Sequence, residues 1–278
     1  MKDKKLIGSL MLLIAALLWG GSYGIQNILS NHLGTYTIIF IKTMTGIVLL
    51  GICFLLKKEI NEKTILAGII VGIVNGCGLI FQQTGIANTS VSKASFITGL
   101  YVVFVPVLGL FTRKKPKRKF WLAICIAFLG LYMLCMQGTE SLGKGDLAVL
   151  ISAVFFALQI ILIDKYASEV DPLPFCAFQQ ITIAFISGTL MLVLEKPQNI
   201  DFSNIILPII YTAFISGMAA QILQNKYQKF VEPTVASLIM SLESVFGTLS
   251  GWLLLNQTLS LKEVIGCILI FISIIIAE

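Results

Sequence analysis

Apolar runs of about 17 to 25 residues follow one another almost without pause along this chain. A run of that length is what an α-helix needs to cross a hydrocarbon core roughly 30 Å thick. Lipid offers the backbone no hydrogen-bond partner, so such runs must fold as helices whose bonds close within the segment. The runs predict ten spans: 6–29, 35–56, 64–87, 92–112, 119–136, 144–164, 173–195, 204–225, 233–255 and 261–277. With 57% hydrophobic and 12% charged residues, the composition excludes a water-soluble domain. The loops are too short to hold one, so function must lie inside the helical bundle.

The charges orient it. With the N-terminus in the cytoplasm, fifteen Lys and Arg residues fall on the inner side and four on the outer, with Lys42 inside a span. That bias predicts both termini in the cytoplasm of a multi-pass protein of the cytoplasmic membrane. The run Arg113–Lys119 is then a topology anchor rather than a nucleic-acid patch, and no nucleic-acid partner is expected. The six cysteines lie within predicted spans without C-x-x-C spacing, and read as small packing residues rather than disulfides or metal ligands. The basic start MKDKK before an apolar run mimics a secretion signal. The run is too long for one and reads as an uncleaved first helix.

One ionisable residue stands out in the ninth span. Glu243 lies ten residues past Pro233, roughly 15 Å along a helix, which places its carboxyl near the bilayer midplane. An acid at that depth must face a cavity or a partner, and marks a candidate site for a proton or a cationic group. The competing reading is a carboxyl that merely pins helices together.

The ninth span also has an echo. Placing Ile80–Gly109 over Ile222–Gly251, an offset of 142, gives nine identities in thirty positions without a gap, including Gln82 on Gln224. An offset of 137 lays Gly8–Ala16 over Gly145–Ala153. Five helices per half is an odd number, so the second half enters the membrane from the opposite side. The expected fold is an all-α polytopic membrane protein of ten transmembrane helices, built as two inverted five-helix repeats, residues 1–138 and 139–278. Inverted repeats supply two exchangeable packings about a shared site, which is the architecture of alternating access. Under the repeat Glu243 corresponds to Tyr101, whose hydroxyl is expected to face it, and Lys42 to Gln179. Glycine stripes at Gly20, Gly21 and Gly24 and at Gly68, Gly72 and Gly76 predict close helix approach. Pro106 is expected to kink or loosen the fourth span.

The stretches AALLWGGSYG, SKASFITGLYVVFVPVLGL and TVASLIMSLESVFGTLSGWLLLNQTLS resemble the EamA-type members of the drug/metabolite transporter superfamily. The resemblance implies a secondary transporter, often an exporter, of small metabolites such as amino acids, without a bound cofactor. Relatives commonly read Glu-Pro-Val-Phe in the ninth helix, where this chain has Glu243-Ser244-Val245-Phe246, which removes a helix-breaking proline. They also commonly carry a terminal glutamate where this chain has Asn256.

Further candidates for the substrate path are Trp19, Ser22 and Tyr23 in the first span, Gln82 in the third, Gln159 in the sixth and Gln224 in the eighth, although amides inside a bundle also act as interhelical glue. Lys42 sits about seven residues into the second span. It either snorkels outward or pairs structurally, or it meets a substrate carboxylate. Gly20-Gly21-Ser22-Tyr23-Gly24 matches the G-x-S-x-G pattern of hydrolases, but it lies within a membrane helix and the single histidine, His32, lies in an outer loop. An intramembrane serine hydrolase and a structural or sensory protein without flux are the alternatives. No zinc, nucleotide or haem signature is present. The expected partners are the lipid bilayer, a small-molecule substrate and protons.

Overall fold

The computed structural model describes residues 2–111, 118–135, 143–195, 205–255 and 260–277. The regular structure of the described residues is helical throughout. In chain order it runs α1 (Lys2–Gly20), α2 (Ser22–Ser30), α3 (Thr35–Thr43), α4 (Thr45–Leu55), α5 (Glu62–Ile86), α6 (Val91–Gly99), α7 (Tyr101–Phe111), α8 (Arg118–Cys135), α9 (Lys144–Tyr166) and α10 (Pro172–Leu190). It continues with α11 (Ile206–Ile210), α12 (Ala220–Tyr227), α13 (Pro233–Met240), α14 (Glu243–Leu255) and α15 (Leu261–Ala277), with π-helical turns at Met191–Glu195 and Tyr211–Ala219.

Seven of these helical runs are long and apolar enough to cross a membrane: 3–30, 35–55, 62–86, 91–110, 144–166, 172–195 and 206–230. Helices also occupy the other three predicted segments, as α8, the broken α13–α14 and the 17-residue α15. The basic run 113–117 and Asn256 lie outside the described residues.

The side chains are distributed as lipid demands. Large apolar residues such as Leu10, Phe54, Leu55, Phe185 and Leu207 are exposed on the outside, while glutamines, serines and threonines are buried within. The helices pack in matching sets. α5 lies on α9 and α10, α1 lies on α12, α13 and α14, and α8 lies against α15. The glycine stripes mark where backbones meet. A Cβ on Gly20 would fall 2.5 Å from the carbonyl oxygen of Glu243, and one on Gly72 would fall 2.9 Å from the carbonyl of Gln179. At Gly76 the neighbour stands 3.4 Å away, an ordinary contact. Cys53, Cys77, Cys125, Cys176 and Cys267 carry free thiols.

Two features were not anticipated. Lys93, one of the four lysines assigned to the outer side, is buried. Its Nζ lies 3.1 Å from Asp146 Oδ2, and Asp146 also accepts from Thr89 Oγ1 at 2.6 Å and from the Gly143 N–H at 2.8 Å. This buried ion pair ties the start of α6 to the start of α9. Second, loss of the proline beside Glu243 does not leave a continuous ninth helix. The helix is interrupted at Ser241–Leu242, where the Ser237 and Ser241 hydroxyls bond back to Thr234 O at 2.8 Å and Leu238 O at 2.7 Å. Such bonding competes with the helical ladder and bends it. In the fourth span the interruption falls at Leu100, upstream of Pro106, which sits inside α7.

Candidate functional site

Four helix interruptions converge on the middle of the bundle: Gly21, Met44, Leu100 and Ser241–Leu242. Each lies within two residues of a polar side chain that enters a common cavity. Ser22 follows the first, Lys42 precedes the second, Tyr101 follows the third and Glu243 follows the fourth. The cavity volume is about 60 Å³, room for roughly four ordered waters at about 15 Å³ each.

All nine residues singled out from the sequence line it: Trp19, Ser22, Tyr23, Lys42, Gln82, Tyr101, Gln159, Gln224 and Glu243. Lys42 does not snorkel. It is 6% exposed and lines the cavity, and its ammonium makes no hydrogen bond or ion pair with a described residue. Its ammonium lies within electrostatic range of the Glu243 carboxyl. The Tyr101 hydroxyl stands beside that carboxyl, as the repeat register led one to expect.

An amide network holds the remaining walls. Gln82 Nε2 donates to Tyr23 Oη at 3.0 Å and to Thr98 Oγ1 at 3.3 Å. Gln159 and Gln221 both donate to Gln224 Oε1, at 3.3 and 3.2 Å. Trp19 Nε1 donates to the Ser216 carbonyl at 3.0 Å, and Gln180 Nε2 to the Gly217 carbonyl at 2.8 Å. Against this, four polar atoms of cavity-lining residues have no partner in hydrogen-bond geometry among the described residues: Gln180 Oε1, Ser216 Oγ, and Tyr101 Oη and Glu243 Oε1, which belong to neighbouring side chains. A buried polar atom left unpaired costs about 1–3 kcal/mol. A cavity ringed by four of them is shaped for an occupant that hydrogen-bonds.

Ser22 does not have the surroundings of a nucleophile. Its hydroxyl donates to the Trp19 carbonyl at 2.6 Å and accepts from Gln26 Nε2 at 2.7 Å, and neither partner is a base. Sequence reasoning did not single out Gln26, Asn75, Gln180 and Ser216, which also line the cavity. Asn75 stands between Gly72 and Gly76, and a polar residue inside a packing stripe was the signal that could have found it. The repeat partner assigned to Lys42, Gln179, is fully buried outside the lining. Its Oε1 accepts from Gln221 Nε2 at 3.3 Å, and the next residue, Gln180, lines the cavity instead.

The two offsets recur in the wall. At 137, Trp19 meets Phe156, Ser22 meets Gln159 and Tyr23 meets Ile160; at 142, Asn75 meets Gly217, Leu79 meets Gln221, Gln82 meets Gln224 and Tyr101 meets Glu243. Both members of all seven pairs line the cavity.

Comparison with known proteins gives a consistent result. The EamA-like transporter family matches twice, over residues 6–136 and 143–277. The chain is 27% identical over 276 residues to an uncharacterized transporter of Archaeoglobus fulgidus, covering 99% of this chain and 87% of that protein. It is 23% identical over 236 residues to the uncharacterized transporter YyaM of Bacillus subtilis, covering 80% of this chain and 76% of that one. A crystal structure of another protein, 16% identical, superposes with a TM-score of 0.80 over 100% of this chain and 97% of its own, and shares the fold.

Proposed function

This chain belongs to the EamA-like transporter family, and on that premise we propose that it is a secondary active transporter, running as an exporter, of a small zwitterionic metabolite such as an amino acid. Membrane transport is the activity its relatives are named for. The finer reading rests on one observation: a carboxyl and an ammonium, Glu243 and Lys42, enter the same buried cavity, and the carboxyl keeps an oxygen without a hydrogen-bond partner among the described residues. A solute carrying both charges would set its ammonium on Glu243 and its carboxylate on Lys42, and a proton could replace the ammonium when the site is empty of substrate.

The mechanism proposed is alternating access between two inverted five-helix halves, residues 1–138 and 139–278, in a cytoplasmic membrane with both termini inside. The seven residue pairs of the cavity wall support that relation, as do the matching neighbours of α1, which packs on α12, α13 and α14, and of α9, which packs on α5, α6 and α7. Exchange of the two packings would open the cavity to one side and then the other. No ATP-binding motif occurs in the sequence, so a solute or proton gradient must supply the energy.

The test is counterflow of radiolabelled amino acids in proteoliposomes. Glu243→Gln is expected to abolish proton-coupled exchange or flatten its pH dependence, and Lys42→Gln to raise the KM for zwitterions more than for amines. Wild-type rates in Glu243→Gln would remove that carboxyl from the mechanism. Ser22→Ala should leave flux intact, which separates transport from hydrolysis at that serine.

A further inference from the structure

A second hollow opens at the opposite end of the bundle from the Lys93–Asp146 pair, where α4 and α12 end and α10 begins. Its volume is about 430 Å³, and it is lined by two kinds of residue. Its lining combines apolar Leu173, Ile222 and Phe230 with the charged side chains of Lys58, Lys226, Lys229 and Asp171. The three lysines belong to the segments that the charge bias assigns to the cytoplasm.

The charges there do not balance. Lys58 Nζ lies 2.8 Å from Asp171 Oδ2, while Asp171 Oδ1 accepts the Leu173 N–H at 3.0 Å and caps α10. Both carboxylate oxygens are thus engaged. Burial works to raise the Asp171 carboxyl, but the bonds from Lys58 and Leu173 and the nearby charges of Lys58 and Lys229 outweigh it and hold it below its ordinary value. Lys226 and Lys229 have no carboxylate in ion-pair range among the described residues. Lys226 Nζ lies 5.2 Å from the Tyr227 ring centroid and Lys229 Nζ 5.5 Å from that of Phe230, so the hollow carries three ammonium groups and one carboxylate, which is paired with Lys58. The helix end adds little, because Pro172 and Pro174 lack N–H groups and that of Leu173 is already taken. An anion held here would be held by side chains.

The surroundings favour an amphipathic anion over a free one. Phe54 and Leu55, four and three residues before Lys58, are 68% and 83% exposed and in a membrane would face acyl chains. The hollow thus sits on the boundary between the apolar belt and the charged end of the bundle. We propose that it is a binding site for one acidic phospholipid, with the phosphate on Lys226 and Lys229 and an acyl chain along Leu173, Ile222 and Phe230. Basic pockets between transmembrane helices on the cytoplasmic side bind such headgroups.

The experiment is native mass spectrometry of the purified full-length protein in neutral detergent, titrated with phosphatidylglycerol or phosphatidylcholine. One phosphatidylglycerol should be retained in preference to phosphatidylcholine. Near an anionic lipid each lysine contributes roughly fivefold, so Lys226→Gln with Lys229→Gln should weaken retention by about thirtyfold. Lys226→Arg with Lys229→Arg should restore it. The same charge change made elsewhere, Lys4→Gln with Lys165→Gln, should leave it unchanged. Equal loss in that control would mean a general attraction rather than a site and would overturn the proposal. So would equal retention of the two lipids, or displacement by millimolar inorganic phosphate, which would mark a site for a free anion. None of these readouts depends on transport.

Discussion

Removing one side of the Lys93–Asp146 pair tests how the bundle is held together where α6 and α9 begin. The side chains are 8% and 3% exposed, so bulk water screens them weakly. Truncating one partner of such a pair costs about 3–5 kcal/mol, because the other charge is left buried and uncompensated. Asp146 would retain the Thr89 hydroxyl and the Gly143 N–H, which argues for the low end, about 3 kcal/mol, for Lys93→Met. Asp146→Asn keeps one acceptor oxygen for two donors, the Thr89 hydroxyl and the Gly143 N–H, and takes the carboxylate from the ammonium, at a similar cost of about 3 kcal/mol. The double variant removes both charges and should cost no more than the worse single change. The coupling would then be about 3 kcal/mol, the upper end of what neighbouring residues show. Reversible chemical unfolding in detergent micelles of the wild type, both single variants and the double variant supplies the cycle. Additivity of the single effects within about 0.5 kcal/mol would refute a buried, charge-paired tie between α6 and α9.

Three further outcomes follow from local geometry. Gly20→Ala would place its Cβ 2.5 Å from both the Glu243 carbonyl oxygen and Phe246 Cβ, so about 1–3 kcal/mol of overpacking is expected, whereas Gly51→Ala meets nothing within 4 Å and should be neutral or stabilising; equal melting shifts would contradict the close approach of α1 and α14. Lys57 closes α4 with φ at 50°, and the bonds Lys58 N–H to Cys53 O at 2.9 Å and Lys57 N–H to Phe54 O at 3.1 Å form the turn usually given to glycine; Lys57→Gly should therefore gain about 1 kcal/mol in the same unfolding assay. Asp171 titrates below its ordinary 3.8, so its contribution is fully present above that value and is lost as pH falls through the lowered one; acid unfolding of Asp171→Asn should lack that component.

What the sequence made legible was polarity in the wrong place. Glu243, Lys42, Gln82 and Gln224 are costly in oil unless a cavity receives them, and each enters one. The helix interruptions were not legible. Met44 breaks its helix with no proline or glycine beside it, and Gly99 before the Leu100 break is one of many glycines in the chain, so local propensity did not mark either position. Lys93 misled for a related reason. A lysine at the start of a span reads as a surface charge until its partner is known, and Asp146 lies 53 residues away. Gln180 was passed over for Gln179 because an alignment over interrupted helices can slip by one residue, and one residue turns a side chain about 100° around a helix.

The cavity wall repeats itself across the two halves, yet its charges do not. Glu243 has a tyrosine as its counterpart and Lys42 has a glutamine. A wall of matched pairs suits two equivalent packings, but by itself it would hold a solute equally well in either orientation. One carboxyl and one ammonium, each present once, fix a single orientation. Because the Tyr101 hydroxyl stands beside the Glu243 carboxyl, the two residues should be exchangeable. Glu243→Tyr alone removes the acid and crowds the cavity, and should stop counterflow. Adding Tyr101→Glu returns the carboxyl to nearly the same place from the other half and restores the volume, so counterflow should recover by at least tenfold over the single variant. If the doubly exchanged protein unfolds at the wild-type midpoint and is still inert, the carboxyl must act from α14 alone, and the proposed equivalence of the two halves at the site would be wrong.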